Sequence, residues 1–117
     1  MMVLPTQTRV FLALGSTDMR KAINGLSVLV EGAFDLDPFS GHLFVFCNRR
    51  RTLLKILYWD RNGFCLWQKR LEKHRFPWPE SPEDVMEIRA GQLGFLLEGL
   101  DITSVHPHES LHYSTLI

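Results

Sequence analysis

The sequence predicts a small single domain of the α+β class, with a mostly antiparallel sheet of about four strands, one long helix after the first strand and a short C-terminal helix. The chain has 117 residues, of which 45% are hydrophobic and 11% aromatic, which is enough to build one core. Short runs rich in β-branched and aromatic residues alternate with turn signals and predict the strands. Apolar residues at helical spacing after the first run predict the long helix.

The first half of the chain predicts a strand and then this helix. Residues 9–14 form an apolar run that ends at Gly15, as a buried strand does. Thr17 or Asp18 can cap a helix that Gly25 weakens. The apolar positions that recur on one face of the predicted helix are Met19, Ala22/Ile23, Leu26, Leu29/Val30 and Ala33. Turn residues in 36–41 end it.

The second half predicts sheet, a link and a short helix. Three strand-like runs cover residues 42–48, 52–59 and 64–72, and Asn62-Gly63 predicts a hairpin turn between the last two. Three prolines and several carboxylates then predict a solvated link. Leucines at helical spacing predict the short helix, namely Leu93, Leu96, Leu97 and Leu100. We expect residues 1–102 to form the domain and residues 103–117, which include His106-Pro107-His108, to be a flexible tail.

The net charge of zero hides a strong partition along the chain. Residues 1–47 hold three basic and four acidic residues, residues 48–79 hold nine basic and two acidic, and residues 80–117 hold one basic and seven acidic. A focused positive field on a neutral body can attract a polyanion. The basic middle segment is therefore the predicted working surface.

The hairpin turn leaves two alternatives for the composition of one sheet face. Lys55 and Trp59 share a face in either case, because they are an even number of residues apart on one strand. A two-residue turn adds Gln68 and Arg70 to that face, and a bulged turn adds Trp67 and Lys69. Either turn predicts a face with cations and at least one indole, which could neutralise phosphates and stack on bases. The alternative interpretation is a packed sheet with snorkelling lysines and arginines on its rim.

Arg49-Arg50-Arg51 is the sharpest feature of the basic segment. Three adjacent arginines at a strand connection repel one another and present planar donors suited to phosphate oxygens, although a solvated turn explains them too. The predicted DNA-binding residues are Arg49, Arg50, Arg51, Lys55, Trp59, Lys69, Arg70, Lys73 and Arg75. Arg20 and Lys21 are predicted as a secondary contact, because the first turn of a helix disfavours cations and their presence there suggests a contact with another molecule. The alternative interpretation is that both side chains are simply exposed on the flank of the helix.

The sequence predicts no catalytic site, no metal site and no cofactor. The sequence offers no converging carboxylates, no Ser or Cys paired with His, and no phosphate-binding glycine loop. Cys47 and Cys65 lie in strand-like runs and lack the further ligands of a zinc site. Residues 1–14 lack the features of an export signal, and no apolar run reaches the roughly 18 residues of a membrane span. We therefore expect a cytoplasmic protein with no membrane partner.

Several motifs, in this order, resemble one known family. They are Thr17-Asp18-Met19-Arg20-Lys21-Ala22-Ile23-Asn24-Gly25-Leu26, Asp37-Pro38-Phe39-Ser40-Gly41-His42-Leu43-Phe44-Val45-Phe46, Leu57-Tyr58-Trp59-Asp60, Lys69-Arg70-Leu71-Glu72 and Arg75-Phe76-x-Trp78-Pro79. The chain resembles, from about Arg9 to Asp101, the TnpB (second reading frame) accessory proteins of bacterial insertion-sequence family sixty-six. It departs from them at Ala22, often Gly in the family, at Asn24, often Asp, and in the tail.

The resemblance implies a protein that assists a separately encoded DDE-type transposase and has no established enzymatic activity. Together with the charge pattern, it predicts a non-catalytic transposition factor that binds DNA. Three further expectations stay open. The protein could be an adaptor that docks on the transposase, it could self-associate as a homo-oligomer through its oppositely charged segments, or, least favoured, it could be a metal-dependent nuclease.

Overall fold

The computed structural model describes residues 7–99, which form a five-stranded mixed sheet with helices on both faces. The elements are β1 (Val10–Ala13), α1 (Ile23–Val28) continued by a π-helical segment (Leu29–Ala33), β2 (Leu43–Cys47), β3 (Leu53–Asp60), β4 (Gly63–Arg70), β5 (Val85–Ile88) and α2 (Ala90–Leu97). The strand order is β4-β3-β2-β1-β5. β1 and β2 are parallel, and all other neighbours are antiparallel.

The prediction of about four mostly antiparallel strands misses the fifth strand and the parallel pair of β1 and β2, although the class is broadly α+β. β1 and β2 run parallel because α1 and the π-helical segment carry the chain back across the sheet, as a crossover between parallel strands requires. The fifth strand, β5, pairs with β1. It has only four residues, too few for sequence periodicity to separate it from the helix that follows.

The predicted long helix is also wrong, because only residues 23–33 are helical. Thr17 and Asp18 do not cap it. The Thr17 amide donates instead to the Cys47 carbonyl at the end of β2, and the Asp18 carboxylate accepts hydrogen bonds from the backbone and guanidinium of Arg20. A long-range hydrogen bond and a local ion pair therefore hold the residues before α1, and local helix propensity does not decide their conformation.

Two apolar clusters cover the faces of the sheet. One lies beneath α1 and the π-helical segment and contains Phe11, Ala13, Leu26, Val30, Phe44, Phe46 and Leu57. The other lies beneath α2 and contains Val10, Leu12, Leu43, Val45, Cys47, Leu54, Ile56, Phe76, Trp78, Ile88, Leu93, Leu96 and Leu97. β1 and β2 are buried along their whole length. Burial on both faces explains their continuous apolar runs.

The hairpin between β3 and β4 has a two-residue loop made of Arg61 and Asn62, because Asp60 pairs with Gly63. Lys55 therefore lies opposite Gln68, and Leu53 lies opposite Arg70. This is the face composition that the two-residue turn predicts, although the loop lies one residue earlier than Asn62-Gly63. The face is not open, because α1 and its π-helical extension pack against it.

The predicted tail, residues 103–117, lies outside the described residues. Across residues 7–99, no helix is both long and apolar enough to cross a membrane.

Candidate nucleic-acid interface

Two basic segments that are distant in sequence meet at one end of the sheet. The first is the β2–β3 turn, residues 48–52, and the second is the loop after β4, residues 71–76. The Leu71 amide donates to the Thr52 carbonyl at 2.8 Å, and the Phe76 amide donates to the Arg51 carbonyl at 2.7 Å. These two bonds join the segments into one surface, which we name the basic end.

Asn48 organises the turn that holds the three arginines. Its Oδ1 accepts hydrogen bonds from the amides of Thr52 at 2.9 Å and Leu53 at 3.0 Å, and its Nδ2 donates to Thr52 Oγ1 at 3.1 Å. The Arg51 amide also donates to the Asn48 carbonyl at 3.1 Å and closes a four-residue turn. The arginines therefore project from an ordered turn.

The Arg51 side chain is bound to other parts of the protein and is not free to contact a ligand. Its Nη1 donates to the Gly15 carbonyl at 2.8 Å, and its guanidinium lies 5.8 Å from the ring centroid of Trp78, within cation–π range. Its backbone has φ of 61°, the left-handed region that glycine and asparagine favour. His74 in the second segment has φ of 67°. Unusual backbone conformations thus occur on both segments of the basic end.

The free cations of the basic end come from both segments. They are Arg49, Arg50, Lys73 and Arg75, all of which are exposed. In the part of the chain that the structure describes, none of these four forms an ion pair. Arg70 is also exposed, but its guanidinium binds the Glu72 carboxylate at 3.0 Å. The structure thus brings together six of the nine predicted DNA-binding residues, and four of them are unpaired.

Three predicted residues lie elsewhere. Lys55 is only 8% exposed, and its amine donates to the carbonyls of Met19 at 3.0 Å and Lys21 at 3.1 Å. The Lys69 amine donates to the Leu97 carbonyl at the end of α2, at 2.8 Å. Trp59 lies near the far end of β3, where its ring packs edge-on against Phe39 and Phe64. The amines of both lysines are therefore committed to backbone carbonyls.

The flanks of the basic end differ in charge. Arg20 and Lys21, the predicted secondary contact, lie just before α1, and the Arg20 guanidinium binds Asp18 at 2.7 Å. This hydrogen-bonded pairing holds the pKa of the Asp18 carboxyl at about 2, below its usual 3.8. On the opposite flank the Asp84 carbonyl accepts from the Leu14 amide, which places the acidic link beside β1. The exposed cations of the basic end therefore lie on the side of β2, β3 and β4, and the acidic link lies on the side of β1.

The chemistry of this end suits binding of anions. Burial raises the pKa of the Cys47 thiol beside the turn, which makes it a poor nucleophile. Across residues 7–99, no group of three His, Cys, Asp or Glu side chains is placed to hold a metal ion. What the described surface offers is a set of exposed guanidinium and ammonium groups, which are donors of the kind that phosphate oxygens accept.

Sequence reasoning did not identify Asn48 or Phe76 as residues that shape this surface. Asn48 has a local signal, because asparagine at the start of a turn bonds amides further along the chain. The bond between Phe76 and Arg51 has none, because it joins residues in different loops.

Comparison with known proteins places the chain in a family. The profile described as "IS66 Orf2 like protein" matches residues 8–107. Two proteins of Sinorhizobium fredii are similar over most of their length: uncharacterized protein y4hO is 41% identical over 102 residues, 87% of each chain, and uncharacterized protein y4jC is 35% identical over 97 residues, 83% of each chain. No solved structure matches. The chain therefore belongs to the family of IS66 Orf2 like proteins, the TnpB accessory proteins that its motifs resemble.

Proposed function

We propose that this protein is a non-catalytic accessory factor of insertion-sequence transposition that binds DNA phosphates through the basic end. The observation that supports this most is the pair of backbone hydrogen bonds that joins the arginine turn to the loop bearing Lys73 and Arg75. Without them, two short basic runs would be separate and weak signals. Joined, they place four unpaired cations on one ordered surface.

The chemistry favours contacts to the phosphate backbone over readout of base sequence. No described helix projects from the basic end as a recognition helix does, and Trp59 lies at the opposite end of β3, about 20 Å away at about 3.3 Å per residue. The cations are carried by loops. Affinity should therefore depend on charge and salt far more than on sequence.

A salt-titrated binding measurement tests the proposal. Fluorescence anisotropy of the full chain with a labelled duplex and a labelled single strand should show affinity that falls with salt, with a slope of about −0.9 per neutralised phosphate on duplex. Four contacts would cost roughly 100-fold in affinity between 50 and 200 mM salt. If the protein binds neither the duplex nor the single strand at low salt, the proposal is wrong.

Matched variants locate the binding surface. Arg50→Ala removes one cation from the basic end, and Arg61→Asn removes one from the hairpin loop at the other end of the sheet. Arg50→Ala should weaken binding and reduce the salt slope by about one phosphate, while Arg61→Asn should change neither. Combined replacement of Arg49, Arg50, Lys73 and Arg75 by alanine should abolish binding above low salt. Equal effects of the two single variants would contradict a localised interface.

Two further assays separate this function from the other candidates. An adaptor that uses the basic end to dock on the transposase would co-purify with it after nuclease treatment, and the alanine variants would lose that association without any DNA being bound. A nuclease would cleave labelled DNA when magnesium or manganese is added. We expect binding without cleavage under both conditions.

A further inference from the structure

We propose that a second surface, at the opposite end of the sheet from the basic end, binds a protein segment that presents a bulky apolar side chain between lysines or arginines. This surface, which we name the aromatic patch, consists of Val28 on α1 and the rings of Phe39, Trp59 and Phe64. Val28 is 69% exposed and Phe39 is 54% exposed. Within residues 7–99, these two are the large hydrophobic residues that are exposed.

The aromatic patch is an ordered surface. The Phe39 ring lies 5.1 Å from the Trp59 centroid and 5.3 Å from the Phe64 centroid, and Trp59 lies 5.0 Å from Phe64. The Phe39 amide donates to Asp37 Oδ1 at 2.9 Å, which fixes the turn that carries the ring. Aromatic groups held in this way lose little conformational entropy on binding, and exposed rings of this kind are enriched where proteins meet.

A groove beside Phe39 gives the patch room for one side chain. It has a volume of about 200 Å³ and is lined by Ser27, Val28, Glu31, Gly32, Pro38 and Phe39. Small-molecule pockets usually have volumes of about 300 Å³ or more, so this groove suits a single anchor residue of a partner chain. Its helical wall includes the start of the π-helical segment, where Glu31 points its carboxylate to the surface. The partner would insert an aliphatic or aromatic side chain here.

The rim of the aromatic patch determines the charge of the partner. Four exposed carboxylates lie beside it: Glu31 lines the groove, Asp37 bonds the Phe39 amide, Asp60 follows Trp59 in the chain, and Asp35 lies two residues before Asp37. Within residues 7–99, only Asp60 among them has a cation nearby, Arg61 at 3.8 Å. An apolar surface bordered by unpaired carboxylates attracts a basic apolar segment and repels an acidic one.

The same charges argue against two simpler occupants. A second copy of the chain, packed patch against patch, would bring the same carboxylates face to face, because a two-fold interface pairs a surface with itself. Residues 1–6 and 100–117 contain neither lysine nor arginine, so they offer no permanently cationic side chain as a complement to the rim. A different protein with a basic apolar segment fits both the groove and its rim.

Labelled peptides test this proposal with the full chain. The probe is a synthetic amphipathic helix of about four turns with leucine on one face and lysine beside it. The first control peptide carries glutamate in place of each lysine, and the second carries alanine in place of each leucine. Anisotropy should show binding of the leucine–lysine peptide at least tenfold tighter than that of either control. No binding by this peptide, or equal binding of the glutamate peptide, would overturn the proposal.

Surface variants then locate the binding site. Val28→Ser and Glu31→Lys alter exposed side chains, and each should weaken peptide binding about tenfold. Glu83→Lys makes the same charge change in the acidic link and should have no effect. DNA binding by the Val28 and Glu31 variants should be unchanged, so failure of this proposal is distinct from failure of the function proposed for the basic end. Wild-type peptide affinity in both variants would overturn it.

Two outcomes would identify the disfavoured occupants and overturn the proposal. Dimerisation of the full chain in sedimentation, lost in Val28→Ser, would show that a second copy covers the patch. Tighter peptide binding after combined replacement of Leu111, Leu116 and Ile117 by serine would show that the chain's own end covers it. We expect neither.

Discussion

The Phe76 amide donates a 2.7 Å hydrogen bond to the Arg51 carbonyl and so joins the loop after β4 to the arginine turn. Arg51 contributes both its carbonyl and its side chain to this junction. Its guanidinium reaches the Gly15 carbonyl and approaches the ring of Trp78, which follows Phe76 by two residues. One residue of the basic run thus anchors the surface, while its neighbours Arg49 and Arg50 remain exposed.

The left-handed backbone of Arg51 predicts a rank order of stability. Arg51→Ala and Arg51→Gly both lose the guanidinium contacts, but only alanine keeps the steric cost of φ at 61°. That cost is roughly 1–2 kcal/mol per residue, partly offset by the greater freedom of glycine in the unfolded chain. We expect the free energy of unfolding to fall in the order wild type, Arg51→Gly, Arg51→Ala. Urea unfolding measures it, and an alanine variant as stable as the glycine variant would contradict the explanation.

The hydrogen bonds of Asn48 predict that its loss affects both stability and DNA binding. Asn48→Ala leaves two amides and the Thr52 hydroxyl without their partner. We expect a loss of about 1–3 kcal/mol in unfolding free energy and weaker DNA binding, because Arg49 and Arg50 would no longer be held in one geometry. Asn62→Ala, in the exposed hairpin loop at the other end, is the matched control and should leave DNA affinity unchanged.

The sequence shows where the basic segment lies in the chain, because charge composition is local information. It does not show which cations are free. Lys55 lies on β3, and its buried amine binds the carbonyls of Met19 and Lys21, which precede α1 and lie more than 30 positions earlier in the chain. The two-residue hairpin could be predicted as one of two alternatives, because turn residues and strand parity are also local.

The errors in the fold have the same origin. The apolar pattern over residues 19–33 predicts a helix, but the helix begins only at Ile23. The Thr17 amide bonds the Cys47 carbonyl, and this contact holds the chain before Ile23 outside the helix. The parallel pairing of β1 with β2 likewise depends on the packing of α1 and the π-helical segment, which connect the two strands, against the sheet. Such long-range contacts leave no periodicity in the sequence.

Paired lysine variants separate a structural amine from a binding amine. Lys55→Met should lower the unfolding free energy by about 1–3 kcal/mol, because two backbone carbonyls lose their donor, and should leave the salt dependence of DNA binding unchanged. Lys73→Met should change stability by less than about 0.5 kcal/mol and reduce the salt slope by about one phosphate. The measurements are urea unfolding and salt-titrated anisotropy. The reverse pattern would place Lys55 in the interface.

The hairpin loop offers a stabilising substitution. Arg61 has φ of 50°, and its side chain is 90% exposed with only a distant ion pair to Asp60 at 3.8 Å. Exposed pairs of this kind contribute little. Arg61→Asn supplies a residue that tolerates the left-handed region and should raise the unfolding free energy by up to about 1 kcal/mol. A melting temperature below that of the wild type would show that the arginine makes a contribution other than its charge.

The ion pair between Asp18 and Arg20 predicts that the difference in unfolding free energy between the wild type and Asp18→Asn depends on pH in the acid range. The pairing depresses the folded-state pKa of Asp18 to about 2 from 3.8. Its stabilisation is therefore fully present above the unfolded-state value and is lost as pH falls through the folded-state value. The difference in unfolding free energy between wild type and Asp18→Asn should be constant near neutral pH, shrink below about pH 4 and disappear only below about pH 2.

Urea titrations of both proteins across this range measure the difference directly, and all other carboxylates cancel because both proteins contain them. Added salt should reduce the difference at neutral pH, since the pair is exposed and its attraction is screened. A difference that does not change between pH 6 and pH 2 would mean that Asp18 acts only as a neutral hydrogen-bond acceptor for the Arg20 amide. In that case the carboxylate charge would contribute nothing to the conformation of residues 17–22.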